Sequence, residues 1–372
     1  MYMKKFLSKV LLSLFLFSYI SEFFLILFKS DTLLSQEKKV DAFNLDDRVD
    51  YFKKKNLNSE FFFSIPSDYF LKYNHNLIPL SDKSNSNIIF CKKNYKEFSS
   101  FNSDRFGFNN PNWIWDKQKI DYIIIGPDIA KGACIDRPND ISSILRKKGI
   151  DVLNLGSSLS EPLIWLGILK EYSVNFDFEK IIVIFKEDEI QDLNKEIRHK
   201  ILKNYLDEDF SQKLKNNQND INATIDKQFI FFQKKKKTSY EKFIFELKNF
   251  LKLKKFRSFF IIKQKNFKQE ILNFENVLKK INNFSKKSNA ELVILYLPLQ
   301  KSLINYTNDT LLEIELKRIT QKFNIKFFNL KNQINDSKNP DDYFLFPLSK
   351  NKSPYSMKGH KMISDFISDN LN

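Results

Sequence analysis

The chain has 372 residues, a 42% hydrophobic share and a net charge of +16 at pH 7, enough for one large domain, or one domain with additions, around a full core. The excess charge is Lys rather than Arg, and the Lys-rich runs alternate with acids and apolar residues as solvated helix faces do. That argues against nucleic acid and for an anionic membrane surface or polysaccharide as the partner of this charge.

The N-terminus carries Lys4, Lys5 and Lys9, then a nearly unbroken apolar run from Val10 to Phe28. At about 1.5 Å per residue the run spans roughly 28 Å, enough for a bilayer core. Lysines precede it and no small-residue cleavage site follows, so residues 1–30 are expected to form an uncleaved signal anchor with a cytoplasmic N-terminus. The rest of the chain would then lie outside the cytoplasmic membrane. Glu22 inside the run should face a partner or the interface.

Residues 31–115 read as a linker and a small strand-containing cap, because short apolar runs such as Ile88–Cys91 are broken by Asn, Asp and Pro. From residue 116 the rhythm changes. "IDYIIIG", "DVLNLG", "KIIVIF", "AELVILYLP" and "NIKFFNL" are apolar strands. Between and after them run the helical stretches "NDISSILRKKGI", "EPLIWLGILKEYS", "DTLLEIELKRITQKF" and "SMKGHKMISDFISDNL". Unbroken apolar strands alternating with helices predict a mainly parallel sheet covered on both faces, a three-layer α/β/α sandwich. A Lys-rich helical insertion without a motif is expected at about 192–287. Trp113 and Trp115 are expected in the core.

Cys91 and Cys134 are too few for a zinc site with only three His, and either pair as a disulfide or stay as buried thiols. In open α/β sheets function sits beyond the carboxyl ends of the strands. Four places qualify: Gly126 onward, Gly156 onward, Phe185 onward, and the loop before the last helix.

With those places in order, the chain resembles the SGNH/GDSL hydrolases, in their membrane-anchored bacterial branch. The resemblance runs through "SEFF" in the anchor, "PLSDKSNSNIIFC", "SDRFGFNNPNWIW", "IIIGPDIAKGAC", "VLNLGSSLSEPL" with "LKEY", "IFKEDEIQDL" and "SPYSMKGHKMI". It implies a flavodoxin-like sheet and ester hydrolysis or O-acyl transfer at a serine activated by a His–Asp pair, with Gly and Asn as oxyanion donors. None of these residues stands where the family has it. The nucleophile position holds Asp128, the oxyanion positions hold Leu159 and Asp188, and the acid and base positions hold Asn351 and Pro354. An ionised Asp188 can only accept hydrogen bonds, and Pro354 has no side-chain base.

His360 lies six residues past the lost base, while His75 and His199 have no supporting constellation. Ser157, Ser158 and Ser160 read as turn hydroxyls. The sharper alternative places Asp128 and Asp188 face to face, with Lys131, Lys186, Glu187 and Glu189 around them. Such a carboxylate pair suits acid–base chemistry or a hard divalent cation. Otherwise it is a relic pocket whose charges Lys131 and Lys186 offset. The expectation is a degenerate hydrolase with a binding or scaffolding role in cell-envelope polysaccharide or lipid metabolism, requiring no cofactor and no metal. An active enzyme using Asp128/Asp188, or a basic surface protein binding anionic polymers, are the alternatives.

Overall fold

The computed structural model describes residues 12–13, 15–24, 41–57, 60–71, 76–158, 160–187, 190–234, 247–253, 267–303, 310–346 and 353–371. The chain divides into two compact units, one made of Met1–Lys39 with Lys234–Phe267 and the other of Val40–Gln233 with Lys268–Asn372.

The larger unit begins with helix α1 (Leu45–Lys54), where the Asn44 side chain accepts from the Asp47 amide and caps the first turn. A three-stranded cap sheet follows: β1 (Phe61–Phe63), β2 (Asn87–Lys92) and β3 (Phe98–Asn102), with β1 parallel and β3 antiparallel to the central β2.

The main sheet contains β4 (Lys119–Ile125), β5 (Val152–Asn154), β6 (Asp177–Lys186), β7 (Glu291–Leu297) and β8 (Lys326–Asn329). All its pairings are parallel and the spatial order is β5-β4-β6-β7-β8. This is the doubly wound 2-1-3-4-5 order, and it agrees with the parallel α/β architecture that the sequence predicts.

The helices of this domain are α2 (Asp128–Lys131), α3 (Ile141–Lys147), α4 (Pro162–Tyr172), α5 (Leu193–Arg198), α6 (Gln218–Lys234), α7 (Phe267–Lys287), α8 (Leu311–Phe323), α9 (Lys331–Asn335) and α10 (Met357–Asn370). Alternate strand residues serve opposite faces, as the period of two requires. Ile124, Ile182, Ile184, Val293 and Leu295 share a core with Ile141 and Leu145 of α3 and with Ile363 and Ile367 of α10. On the other face the Phe185 ring meets Trp165 of α4 at 6.0 Å and Phe274 of α7 at 5.3 Å. α8 joins that layer through Arg318, which pairs with Glu275 of α7 at 2.8 Å.

Two parts of the expected 192–287 insertion are integral to the larger unit. α7 covers the sheet, and Phe229 of α6 stacks on Phe63 of the cap at 4.5 Å. The intervening described residues belong to the smaller unit, where helical residues 15–24 occur with a short helical stretch near 247–251.

No helix among the described residues is long and apolar enough to cross a membrane. The described helical part of the apolar N-terminal run is limited to residues 12–13 and 15–24, and the remainder of Val10–Phe28 lies outside the described residues.

The cap is fixed to the main domain by three devices. Asp104 is buried and takes four hydrogen bonds, from the amides of Phe106 and Phe108 and from the side chains of Asn110 and Trp115. Asn110 continues to the Asn154 carbonyl at 2.8 Å, at the end of β5. Arg105 pairs with Asp116 at 2.8 Å, so the "SDRFGFNNPNWIW" segment acts as a pin. Trp115 is in the core, whereas Trp113 is 47% exposed, contrary to the expectation for it, because its short helix turns it outward. A disulfide joins Cys91 of β2 to Cys134, with Cα atoms 4.9 Å apart. The third device is a buried ion pair, described next.

Candidate functional site

The sheet order reverses at β4, so its open crevice lies beyond the ends of β4 and β6, and the residues that follow those strands are the ones to follow. After β4 the chain turns at Gly126 (φ +143°), where a Cβ would stand 2.4 Å from the Ile184 carbonyl oxygen. Asp128 then opens the single turn α2, which Gly132 ends in the left-handed region at φ +92°. From the next strand, Gly156 comes so close to α2 that a Cβ there would lie 2.3 Å from the Lys131 amide. Asp128 is thereby held with only 3% of its surface exposed.

A cleft of about 150 Å³, open to solvent, stands over this point. Asp128, Ile129 and Ala133 line it from the β4 side, and Lys186, Asp192, Lys195 and Glu196 from the β6 side. Ser353, Pro354 and Tyr355 border it from the loop before α10, and Phe43 and Leu71 from the cap. The structure therefore brings Asp128, Lys186 and Pro354 together as the strand-end argument requires. Asp188, Glu189, Leu159, Asn351 and His75 lie outside the described residues.

Lys131 is not part of that cleft. It points beneath the cap, ion-pairs with Asp82, and donates to Ser158 Oγ at 2.8 Å and Ser64 Oγ at 3.1 Å. Ser64 in turn donates to Asp82 at 2.7 Å. The Lys131 ammonium lies 4.3 Å from the centre of the Phe90 ring. Burial pulls this lysine below its ordinary value, while Asp82 and then Asp128 pull it back. Arg48 of α1 completes the network by donating to the carbonyls of Ser64 and Phe43, and burial lowers it to about 10. The charge partner foreseen for Asp128 is thus engaged mainly with Asp82, a residue of "PLSDKSN" that no chemical motif singles out.

Glu187 is also structural, since its carboxylate accepts the Leu299 amide at 3.0 Å and holds the chain leaving β7. Of the cleft's other carboxylates, Glu161, Asp192 and Glu196, the last comes from a place without a motif. Glu196 of α5 is buried and accepts the amides of Glu161 at 2.9 Å and Ile164 at 3.1 Å, closing the N-terminus of α4. Burial pushes its carboxyl up to about 8 against those hydrogen bonds. Glu161 accepts the Asp192 amide at 3.3 Å, so α4 and α5 form one clasped wall.

Among the described residues lining the cleft there is neither His nor Cys. Its two hydroxyls are committed: Ser353 Oγ accepts the Phe346 amide at 2.8 Å, and Tyr355 donates to the Pro298 carbonyl at 2.7 Å. His360 is fully buried in α10, outside the cleft lining, and burial lowers its ring to about 4 although Asp140 faces it. His199 Nδ1 accepts the Ile201 amide at 3.3 Å. Of the serines of the β5 turn, Ser160 acts as a turn hydroxyl, donating to the Ser157 carbonyl at 3.0 Å, whereas Ser157 donates to the Leu80 carbonyl at 3.4 Å and Ser158 accepts from Lys131, so those two tie the turn to the cap network instead. The described groups lining the cleft can offer carboxylates and ammonium groups to a ligand, but no hydroxyl or thiol paired with a base.

No protein-family model matches the sequence, and no curated protein matches it. Solved structures do. The chain is similar to a G-D-S-L family lipolytic protein from Desulfitobacterium hafniense at 12% identity and a TM-score of 0.37, over 68% of this chain and 99% of that one. It is similar to a lipase/acylhydrolase from Enterococcus faecalis at 8% identity and a TM-score of 0.35, over 68% and 95%. A two-domain esterase active on acetylated mannans matches at 10% identity and a TM-score of 0.36, over 69% of this chain and 50% of that one.

Proposed function

We propose that the chain is an SGNH/GDSL-type protein that binds a ligand in the Asp128 cleft and no longer hydrolyses esters. Its setting in this reading is the outer side of the cytoplasmic membrane, held by the N-terminal anchor, in cell-envelope polysaccharide or lipid metabolism. The observation that carries it is the meeting of Asp128 and Pro354 at one cleft, in the two positions where the resemblance calls for a nucleophile and its base. A carboxylate is a poor acyl acceptor without an activating partner, and proline supplies no proton acceptor.

A second reading has one observation in its favour. Asp128 and a Glu196 whose carboxyl burial pushes up to about 8 line the same cleft. Two carboxyl groups in one cleft, one of them with its acid form favoured by burial, are the ingredients of acid–base catalysis.

One experiment separates them: turnover of a chromogenic acetyl ester by the full chain in detergent, with and without divalent cation, beside Asp128→Ala. Equal rates for the two proteins are expected. Turnover that disappears in the alanine variant would make Asp128 a working group and overturn the binding-only reading.

A further inference from the structure

Residues 234–267 carry twelve Lys or Arg against two Glu, so ten of the chain's sixteen net positive charges reside in 34 positions. Eight aromatic residues are interleaved with them, Tyr240 and Phe250 among them. In the smaller unit this segment meets the N-terminal helix. The Phe250 ring lies 5.6 Å from the Tyr19 ring, and the Tyr19 hydroxyl donates to the Leu251 carbonyl at 3.1 Å.

The surface beside that contact is apolar. Leu12, Phe15, Leu16, Phe17, Ile20, Phe23 and Phe24 are each 49–62% exposed. At 100° per residue they cover about 200° of the helix circumference, far wider than a stripe meant for one packing partner. Leu251 at 57% and Leu247 at 40% add to the exposure from the second segment. Lys248 and Lys252 stand in the same short stretch.

We propose that the chain around Leu247–Leu253 is a second membrane-contact element, seated on an anionic phospholipid surface beside the N-terminal helix. Apolar side chains at a helix contact enter the acyl boundary, and lysines flanking them meet phosphate and carboxylate headgroups. Charge complementarity selects anionic over zwitterionic lipid. The tie to a helix with so wide an apolar arc selects a bilayer over a soluble anionic polymer. The placement rests on the N-terminal helix lying in the plane of the membrane surface, because Tyr19 is the middle residue of the apolar run and a bilayer-crossing helix would carry its contact with Phe250 and Leu251 into the hydrocarbon.

The test uses the full chain with Leu251→Cys carrying an environment-sensitive fluorophore. The native cysteines are paired with each other, so the introduced thiol takes the label. Tyr95→Cys, at a site 66% exposed in the larger unit, is the control position. Flotation with neutral phosphatidylcholine vesicles reports on the anchor alone. With vesicles containing about one third phosphatidylglycerol, the probe at 251 is expected to shift to the blue and to be quenched by bilayer-embedded quencher, while the probe at 95 is not. Reversing Lys248, Lys252, Lys254 and Lys255 to Glu is expected to cut that quenching about tenfold. A water-like emission at 251 on anionic vesicles overturns the proposal, whatever the flotation result. So does equal quenching at 95 and 251, or the same blue shift with a soluble anionic polysaccharide and no bilayer.

Discussion

Replacing Lys131 with Met is expected to cost about 3–5 kcal/mol of stability, the scale for leaving one member of a buried ion pair without its partner. Lys131 and Asp82 have side chains only 5% and 6% exposed, so solvent cannot take over when the ammonium is removed. Asp82 would keep the Ser64 hydroxyl and lose its charge partner. Urea unfolding of the purified protein reads this directly. The double variant Lys131→Met/Asp82→Leu should recover only part of the loss, because Asp82 is also the group that most favours the charged form of buried Arg48. A loss below about 1 kcal/mol for the single variant would place the pair with exposed salt bridges and contradict the buried network.

The second large effect is a pH dependence centred on His360. Its folded value is depressed to about 4 from an ordinary 6.5 because the ring is buried, with Asp140 and then a backbone hydrogen bond to Ala133 opposing the shift. Above pH 6.5 folded and unfolded chains both hold a neutral ring, so nothing is lost there. As the pH falls from 6.5 toward 4 the unfolded chain takes up a proton that the folded chain refuses, and stability drops by about 1.4 kcal/mol per unit. The full loss is on the order of 3 kcal/mol.

Glu196 acts with the opposite sign. Its folded value is raised from 4.5 to about 8, so its contribution is present below pH 4.5 and lost as the pH rises toward 8. The two slopes oppose each other between pH 4.5 and 6.5. The His360 part is therefore read as the difference between the native chain and His360→Leu, followed by urea midpoints from pH 7.5 to 4. That difference should move in favour of the leucine variant as the pH falls, and a constant difference would show that the ring titrates normally in the fold.

The sheet was legible from the sequence because its strands are buried on both faces. Ile123, Ile124 and Ile125 are all fully buried, and residues with no solvent face produce an unbroken apolar run. The strand-end rule then led to Asp128 and Lys186, which do border one cleft. Side-chain direction was not legible. Lys131 is three residues from Asp128 on the same helical turn, yet it points under the cap to an aspartate 49 positions earlier. Glu196 escaped for a related reason. It lies in a Lys-rich stretch without periodicity or motif, and its role is to meet the backbone amides at the start of α4. Neither contact follows a helix or strand period, so no pattern along the chain announces it.

The Cys91–Cys134 bond has a bearing on how the cleft can adapt. It fastens the middle cap strand to the loop after α2, six residues beyond Asp128, and Phe43 packs against the same cluster of buried residues. One wall of the cleft is therefore covalently indexed to its floor and cannot swing aside as a lid. Accommodation of a ligand falls to the opposite wall, where the Glu161–Glu196 clasp and buried apolar side chains hold α4 and α5 without a covalent tie. That wall carries most of the cleft's formal charge, so the ligand's polar groups would work against the side that can yield, and its apolar groups against the side that cannot.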